Sequence, residues 1–108
     1  MWTATHRFAR ISPLKVRWIM KLIRGRRCAD ALEQLRFNRR RSSRYVHSVL
    51  SSAMSNASEK EADVSRLVIT DARVDCGPAY KRWQPKDRGR AHPILKRTSH
   101  ITVTVEES

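Results

Sequence analysis

The feature that most constrains the fold is a strongly basic segment, residues 77–100, which cannot form a hydrophobic core of its own. Seven lysines and arginines face the single acid Asp87, so the local net charge is +6. The large apolar residues of the segment are Tyr80, Trp83, Ile94 and Leu95. Residues this few and this scattered predict an extension held by its surroundings.

Sequence typical of β-strands brackets the basic segment at residues 67–69 and 101–105. The simplest geometry is a pair of strands that leave the body, turn near residues 87–90 and return. Pro85 and Pro93 remove backbone donors, which a ribbon with two free edges tolerates. Because an isolated two-stranded ribbon is marginal in water, we expect a polyanionic partner around it.

The remaining sequence predicts a small α+β domain, with a three-stranded antiparallel sheet packed against three helices and a long protruding β-hairpin. We expect one domain over residues 1–108, with a globular body at 1–76 and 101–108 and the hairpin at 77–100. The predicted body strands are residues 2–8, 66–75 and 101–105. The predicted helices are residues 13–24, a shorter helix from 28 to 37, and a long helix that ends near residue 59.

The first helix has the clearest boundary signals. Ser12 precedes Pro13, so the serine hydroxyl is predicted to accept a backbone N–H and proline to occupy the first helical position. Gly25 is predicted to cap the other end in the left-handed conformation. The buried stripe is predicted as Leu14, Trp18, Ile19, Leu22 and Ile23. A basic stripe on the same helix comprises Arg17, Lys21 and Arg24.

The other elements also show apolar periodicity. On the second helix it predicts Cys28, Ala31, Leu32 and Leu35 as buried. On the third helix, capped by Ser42 or Ser43, it predicts Val46, Val49, Leu50, Ala53 and Ala57. On the strands, the predicted faces are Trp2, Ala4, His6 and Phe8; then Val68, Thr70, Ala72 and Val74; and finally Ile101, Val103 and Val105, opposite His100, Thr102 and Thr104.

The net charge of the chain indicates what kind of partner it binds. The chain has 23 lysines and arginines, 10 acids, a net charge of +13 and a pI near 11.2. Nucleic acid is the partner that such a balance favours. A membrane is disfavoured because no apolar run approaches the roughly 20 residues of a bilayer span. Without a secretory signal at its N-terminus, the chain is predicted to be cytoplasmic.

No residue pattern in the chain carries catalysis or metal binding. The histidines at 6, 47, 92 and 100 lack a nucleophile or carboxylate at a spacing that suggests catalysis. The chain has three glycines, and they do not form a glycine-rich phosphate-binding motif. The cysteines Cys28 and Cys76 lack metal-ligand spacing and are predicted to be reduced core residues. No enzyme activity, cofactor or metal is therefore predicted.

Basic residues form several separated clusters, which suits a folded RNA that surrounds the protein. Arginines at the start of the third helix oppose its dipole, so they indicate phosphate contacts, with a solvated charge run as the alternative. Trp83 either stacks on a base or packs within the ribbon, whereas Tyr80 is assigned to packing. The predicted RNA-binding residues are Lys15, Arg17, Lys21, Arg24, Arg26, Arg27, Arg39, Arg40, Arg41, Arg44, Lys81, Arg82, Lys86, Arg88, Arg90, Lys96, Arg97 and His100.

An ordered set of motifs covers nearly the whole chain and resembles the universal large-subunit ribosomal protein family numbered twenty-two. The set begins with Arg10-Ile11-Ser12-Pro13, Lys15-Val16-Arg17 and Ile23-Arg24-Gly25. It is most specific in Gly77-Pro78, Lys81-Arg82, Gly89-Arg90-Ala91 and Lys96-Arg97-Thr98-Ser99-His100-Ile101. Asp87 and Pro93 depart from the usual pattern of the family.

The resemblance implies a bacterial-type ribosomal protein that binds large-subunit ribosomal RNA, aids assembly and contacts neighbouring ribosomal proteins. It also implies that the hairpin tip lines the nascent-peptide exit tunnel and touches the nascent peptide, and no homo-oligomer is expected. The tip residues are Trp83, Gln84, Pro85, Lys86, Asp87, Arg88, Gly89, Arg90 and Ala91. The alternative from another class is a free-standing basic RNA- or DNA-binding regulatory module.

Overall fold

The computed structural model describes the backbone of residues 1–86 and 90–107, and the side chains of residues 1–79 and 97–107. Three α-helices and five strands follow one another along this part of the chain. In order they are β1 (Trp2–Ala9), α1 (Pro13–Ile23), α2 (Cys28–Phe37), α3 (Arg41–Glu59), β2 (Leu67–Cys76), β3 (Tyr80–Lys86), β4 (Arg90–Lys96) and β5 (Ser99–Glu107). A short 3₁₀ helix, Val64–Arg66, leads into β2.

The body sheet has the strand order β1-β5-β2, and both pairings are antiparallel. The last strand along the chain is thus the central one. All three helices contact this sheet or one another, with α3 across β1 and β5, α1 on β2 and α2 on α3. The predicted α+β class is confirmed.

The core lies between the helices and one face of the sheet. The five α3 residues predicted to be buried are all in it, as are Ile101, Val103 and Val105 of β5. The opposite face of β5 is polar, as predicted. There the hydroxyls of Thr3 and Thr104 lie 3.1 Å apart. Those of Thr5 and Thr102 lie 3.3 Å apart. These pairs link the centre of the sheet to its β1 edge.

The predicted buried stripe of α1 is wrong at three of its five positions. Ile19 and Ile23 are buried, but the stripe is completed by Val16 and Met20. Leu14, Trp18 and Leu22 are 63%, 60% and 42% exposed. The helix carries two apolar lines that, at 100° per residue, lie on nearly opposite sides, and only one can face the sheet. The second line is left on the surface.

Irregular strand pairing explains two further errors. The pairing of β2 with β5 shifts between Ile69 and Asp71, which moves the buried face from Ile69 to Ala72. Val68 and Thr70, predicted to share the core face with Ala72, are half-buried and exposed. A second shift in β1 places Phe8 at φ +57°, and its ring is exposed. A bulge reverses the alternation of faces that sequence periodicity assumes.

The helix caps follow the predictions in position more than in chemistry. Ser12 precedes Pro13 as expected, but its side chain makes no capping hydrogen bond. The residue that caps α3 is Arg40, whereas Ser42 and Ser43 are buried inside the helix.

Cys28 is buried as predicted, and burial raises the pKa of its thiol to about 11. Cys76, predicted to be in the core, is exposed at the end of β2.

Strands β3 and β4 form a separate antiparallel hairpin, with register from Tyr80↔Lys96 to Lys86↔Arg90. At 3.3 Å per residue its seven-residue strands are roughly 23 Å long. The whole molecule measures 62 × 24 × 17 Å. Its radius of gyration is 16.8 Å, against about 13 Å for a compact chain of this length. Of the predicted turn near residues 87–90, residues 87–89 lie outside the described residues.

Candidate nucleic-acid interface

Helix α1 presents a basic side to solvent because its sheet-facing side is fully occupied by apolar residues. Lys15, Arg17 and Lys21, all predicted to bind RNA, are exposed along this side. Within the part of the chain whose side chains the structure describes, the charged side chains of these three residues form no hydrogen bond or ion pair. Their charges are therefore available to an external anion.

The link between α1 and α2 is held on the edge of β2. Gly25, with φ +81°, donates its N–H to the Ile69 carbonyl at 3.0 Å, and the Ile69 N–H donates to the Arg26 carbonyl at 2.9 Å. The Arg24 guanidinium donates to the Ala72 carbonyl. Arg26 and Arg27 are exposed beside this edge. The left-handed glycine thus fixes where both arginines emerge, and Arg24 has a structural bond in addition to its predicted role.

A hydrogen-bonded turn positions the arginines at the start of α3. Arg40 donates its backbone N–H to the Asn38 side-chain oxygen at 2.9 Å. The buried Ser43 hydroxyl lies 3.1 Å from the Asn38 carbonyl and 2.6 Å from the Arg40 carbonyl. A serine in this position is therefore an anchor for the turn. It holds the backbone from which the side chains of Arg39, Arg40 and Arg41 project.

Two of the arginines pack on aromatic rings. The Arg40 guanidinium carbon lies 5.8 Å from the centroid of the Trp18 ring on α1. Arg41 lies 5.7 Å from the Tyr45 ring centroid and donates to the Tyr45 hydroxyl at 3.1 Å. The first contact brings the basic side of α1 next to the start of α3. We call this combined area the α1–α3 surface, comprising Lys15, Arg17, Trp18, Lys21, Arg39, Arg40, Arg41 and Arg44.

The charge pattern of α3 opposes its helix dipole, as the sequence indicates. No acidic residue lies in its first turn and no basic residue in its last, and its N-cap is itself an arginine. Each exposed charge placed this way costs about 0.3–1 kcal/mol. The Arg44 side chain, exposed near the same end, adds to the cost. A bound anion at this end would offset it.

The base of the hairpin is tied into the body. Gly77 donates its N–H to the Thr98 carbonyl at 3.0 Å. The Thr98 hydroxyl donates to the Pro78 carbonyl at 2.7 Å. His100, predicted to bind RNA, is half-buried here. Its Nδ1 accepts the Phe8 N–H at 3.1 Å, and its ring meets the Phe8 ring edge-on at 4.9 Å. Arg97 is exposed beside this junction.

The other predicted contact residues lie on the hairpin strands. Lys81, Arg82 and Lys86 belong to β3, and Arg90 and Lys96 to β4. Of the predicted tip, Trp83 lies opposite Pro93 and Pro85 opposite Ala91 in the strand register, with Gln84 between them. Asp87, Arg88 and Gly89 lie outside the described residues. The β3–β4 pairing itself agrees with the predicted geometry.

The described residues show neither a metal site nor a membrane-spanning helix. They contain no group of three or more His, Cys, Asp or Glu side chains that could hold a metal ion. No helix among them is long and apolar enough to cross a bilayer. The exposed charge of the α1–α3 surface remains the main chemical feature of the body.

Comparison with known proteins gives this feature a context. A family model described as ribosomal protein L22p/L17e matches residues 4–106 of the 108. The chain belongs to the ribosomal protein L22p/L17e family. The large ribosomal subunit protein uL22 of Desulfosudis oleivorans is 48% identical over 105 residues, which are 97% of this chain and 92% of that protein.

Two further relatives with the same description are equally well covered. The protein of Magnetococcus marinus is 48% identical over 103 residues, 94% of this chain and 91% of its own length. That of Syntrophobacter fumaroxidans is 43% identical over 105 residues, 96% of each chain. Membership of the L22p/L17e family makes the chain a structural constituent of the large ribosomal subunit in the cytoplasmic ribosome, and not an enzyme.

One residue of the α1–α3 surface was missed by sequence reasoning in this L22p/L17e family member. Trp18 was assigned to the core because it lies four residues from Leu14 and Leu22. The structure instead exposes it beside Arg40. The available signal was the competing line of Val16, Ile19, Met20 and Ile23, which also has helical spacing. Periodicity alone does not choose between two apolar lines.

Proposed function

We propose that the chain binds large-subunit ribosomal RNA through the α1–α3 surface and the basic strands of the hairpin, and aids assembly of the subunit. The observation that carries this proposal is a set of exposed arginines and lysines without acidic partners among the described side chains, in a member of a large-subunit ribosomal protein family. The arginines at the start of α3 are hard to explain by stability, because they oppose the α3 dipole.

Phosphate binding accounts for the arrangement in energetic terms. Each phosphate that the protein neutralises releases condensed counterions, and this entropy gain drives association. Guanidinium groups also bond phosphate oxygens bidentately. Because the α3 arginines start from an unfavourable position, a bound phosphate relieves the dipole repulsion as well. The proposed RNA-contact residues outside β3 and β4 are therefore those of the α1–α3 surface together with Arg24, Arg26, Arg27, Arg97 and His100.

The two parts of the chain have different proposed tasks. The body, residues 1–76 and 101–108, stays on the RNA surface beside neighbouring ribosomal proteins. The hairpin, residues 77–100, enters the RNA, and its tip lines the nascent-peptide exit tunnel. The separate β3–β4 sheet and the 62 Å length of the molecule support this division. Such a ribbon is narrow enough to enter a cleft that the body cannot.

Equilibrium binding across a salt series tests the RNA-binding proposal. The protein is titrated into large-subunit ribosomal RNA of Desulfosudis oleivorans, an equal mass of unrelated structured RNA, and duplex DNA. We expect a preference for the ribosomal RNA that persists near physiological salt. Equal affinities that fall together as salt rises would indicate a general polyanion binder, as in a free-standing regulatory module.

Site-specific photocrosslinking tests the proposed position of the tip. A photoreactive amino acid replaces Gln84 in one variant and Lys60, at the end of α3, in a control variant. Both are assembled into ribosomes that carry a stalled, labelled nascent peptide. We expect the label to cross-link at position 84 and not at position 60. Cross-linking to RNA alone at position 84 would remove the nascent peptide from the proposed partners.

A further inference from the structure

The exposed apolar line on α1 lies within a basic area, and this combination determines what can cover it. Leu14, Trp18 and Leu22 follow one another at intervals of four residues, and all three are exposed. Lys15 and Lys21 lie three residues before and after Trp18, so they flank the indole on the helix surface. An occupant of this surface must be apolar at its centre and anionic at its edges.

The turn before α3 supplies a third cation at the same position. Arg40 places its guanidinium 5.8 Å from the Trp18 ring centroid, within the range of a cation–π contact. The side-chain oxygen of Asn38 accepts the Arg40 N–H, and the Ser43 hydroxyl donates to the Arg40 carbonyl. The arginine therefore stands on a fixed backbone, next to an aromatic surface that is 60% exposed.

An unpaired nucleotide satisfies both requirements at once. Its base is a planar group that stacks on an aromatic ring. The phosphates on either side of that base are anions separated by one nucleotide. A protein segment with an apolar centre and acidic edges is the other possible occupant. The net charge of +13 favours the polyanion, because association is then driven by the whole electrostatic field of the chain.

We propose that an unpaired base of the large-subunit ribosomal RNA stacks on Trp18, with its flanking phosphates bound by Arg40, Lys15 and Lys21. Leu14 and Leu22 continue the apolar surface one turn to either side. This inference rests on the proposed RNA-binding function and adds a defined base-binding position to it. It makes part of the body's affinity depend on an aromatic ring as well as on charge.

The chain offers a matched control on α2. Phe37 is 75% exposed and also has an arginine nearby, with the Arg36 guanidinium 5.8 Å from its ring centroid. Its surroundings are acidic, since Asp30 and Glu33 line the same shallow groove. The two sites share an exposed aromatic ring and a cation–π contact but differ in the sign of the adjacent charge. The two acidic side chains make the Phe37 site less favourable for phosphates than the Trp18 site.

Affinity measurements on the full chain with large-subunit ribosomal RNA of Desulfosudis oleivorans test the proposal. Trp18→Leu keeps an apolar side chain but removes the ring, and we expect about ten-fold weaker binding, as is typical for one stacked base. Trp18→Phe keeps a smaller ring and should recover most of that loss. Phe37→Leu should bind like the parent chain. Circular dichroism melting checks that all variants are folded.

Fluorescence gives a readout that affinity alone does not. With Trp2→Phe and Trp83→Phe, Trp18 is the only tryptophan of the chain. Stacking of a base should quench its emission when the ribosomal RNA binds. Duplex DNA at equal phosphate concentration, whose bases are already stacked, should leave the emission unquenched. This comparison separates stacking from attraction to phosphates.

The possible results separate this inference from the proposed function. If the parent chain prefers ribosomal RNA but Trp18→Leu binds equally well and emission is unchanged, the stacking proposal is wrong and a neighbouring protein is the better occupant. If the parent chain shows no preference for ribosomal RNA, the proposed function fails and the stacking proposal fails with it. Weaker binding of Trp18→Leu together with quenching supports both.

Discussion

The body and the hairpin are both antiparallel sheets, but within the described part of the chain the helices pack on the body sheet. Three helices cover one side of β1, β5 and β2 and enclose a core that includes Leu50, Ile69 and Ile101. Strands β3 and β4 pair with each other in a sheet of two strands. Three or more strands with a hydrophobic face, or a packed helix, are needed for independent stability.

From this difference we infer that the two regions are stabilised by different means. The body folds through burial of its own side chains, so its stability is a property of the chain. The hairpin carries six net positive charges within 24 residues, and we propose that the surrounding RNA stabilises it. Changes in the core should therefore alter folding, whereas changes in the basic residues should alter RNA binding. The predictions below test that separation.

The largest expected effect is on the stability of the body. Leu50→Ala removes a fully buried side chain from α3 and should lower the free energy of unfolding by about 2–5 kcal/mol. Leu14→Ala, on the exposed line of α1, is the matched control and should change it by less than about 0.5 kcal/mol. Urea denaturation followed by circular dichroism measures both. Equal losses would mean that Leu14 is buried in solution.

The second prediction concerns the division of RNA binding. Replacing Arg40, Arg41 and Arg44 by alanine should reduce the slope of log affinity against log salt by about two units, if each contacts one phosphate. A control variant with Arg7, Arg36 and Arg73 replaced by alanine has the same net charge as the first triple variant but keeps the α1–α3 surface. Its slope should fall much less. Equal slopes in the two triple variants would assign the effect to net charge and restore the interpretation of a solvated charge run.

The third prediction tests the junction between the two regions. A Cβ added at Gly77 would collide with the Thr98 hydroxyl and touch the His100 ring, so Gly77→Ala should destabilise the chain by about 1–3 kcal/mol. Thr98→Ala alone loses a hydrogen bond to Pro78. The double variant should lose less than the sum of the two, because the collision is gone. Additive losses would show that Thr98 is not what limits the space at Gly77.

The differences between the predicted and the observed structure show what the sequence can and cannot determine. The α3 core positions were predictable because a single apolar stripe specifies them, and the helix boundaries were predictable to within a few residues although the predicted serine caps do not form. The α1 face was not, because two apolar lines compete and only packing on the sheet selects between them. The face of β2 was lost at a bulge, which leaves no local signal at Thr70. For the candidate site, the basic clusters were visible in sequence, but the contact of Arg40 with Trp18 requires the fold.

The fourth prediction compares the two cysteines. At pH 8 a thiol reagent should modify the exposed Cys76 rapidly and the buried Cys28 only when the body unfolds. Burial raises the Cys28 pKa from 9.0 to about 11, so the folded thiol keeps its proton after the unfolded thiol has lost it. Stability should therefore decrease as pH rises from 9 towards 11. The Cys28→Ala variant should lack this pH-dependent loss of stability. Rapid modification of Cys28 in the folded chain would contradict the burial of its thiol.

The smallest expected effect on stability comes from deleting the hairpin, although this is the largest change to the chain. Replacing residues 81–96 by a short glycine-serine linker removes β4 and all of β3 except Tyr80, but it leaves the hydrogen bonds of Gly77, Thr98 and Ser99. Because the described residues of the removed strands pair only with each other, the free energy of unfolding of the body, measured by urea denaturation, should stay within about 0.5 kcal/mol of the parent value. The shortened chain should still bind ribosomal RNA through the α1–α3 surface, with lower affinity.

The deletion also determines whether the hairpin contributes to folding at all. A shortened chain that fails to fold would mean that the body core depends on the ribbon, and the separation of the two regions would be wrong. A folded chain without RNA binding would instead assign all affinity to the hairpin. Only a folded chain with partial affinity fits the present geometry, in which the body brings its own basic surface and the ribbon adds reach.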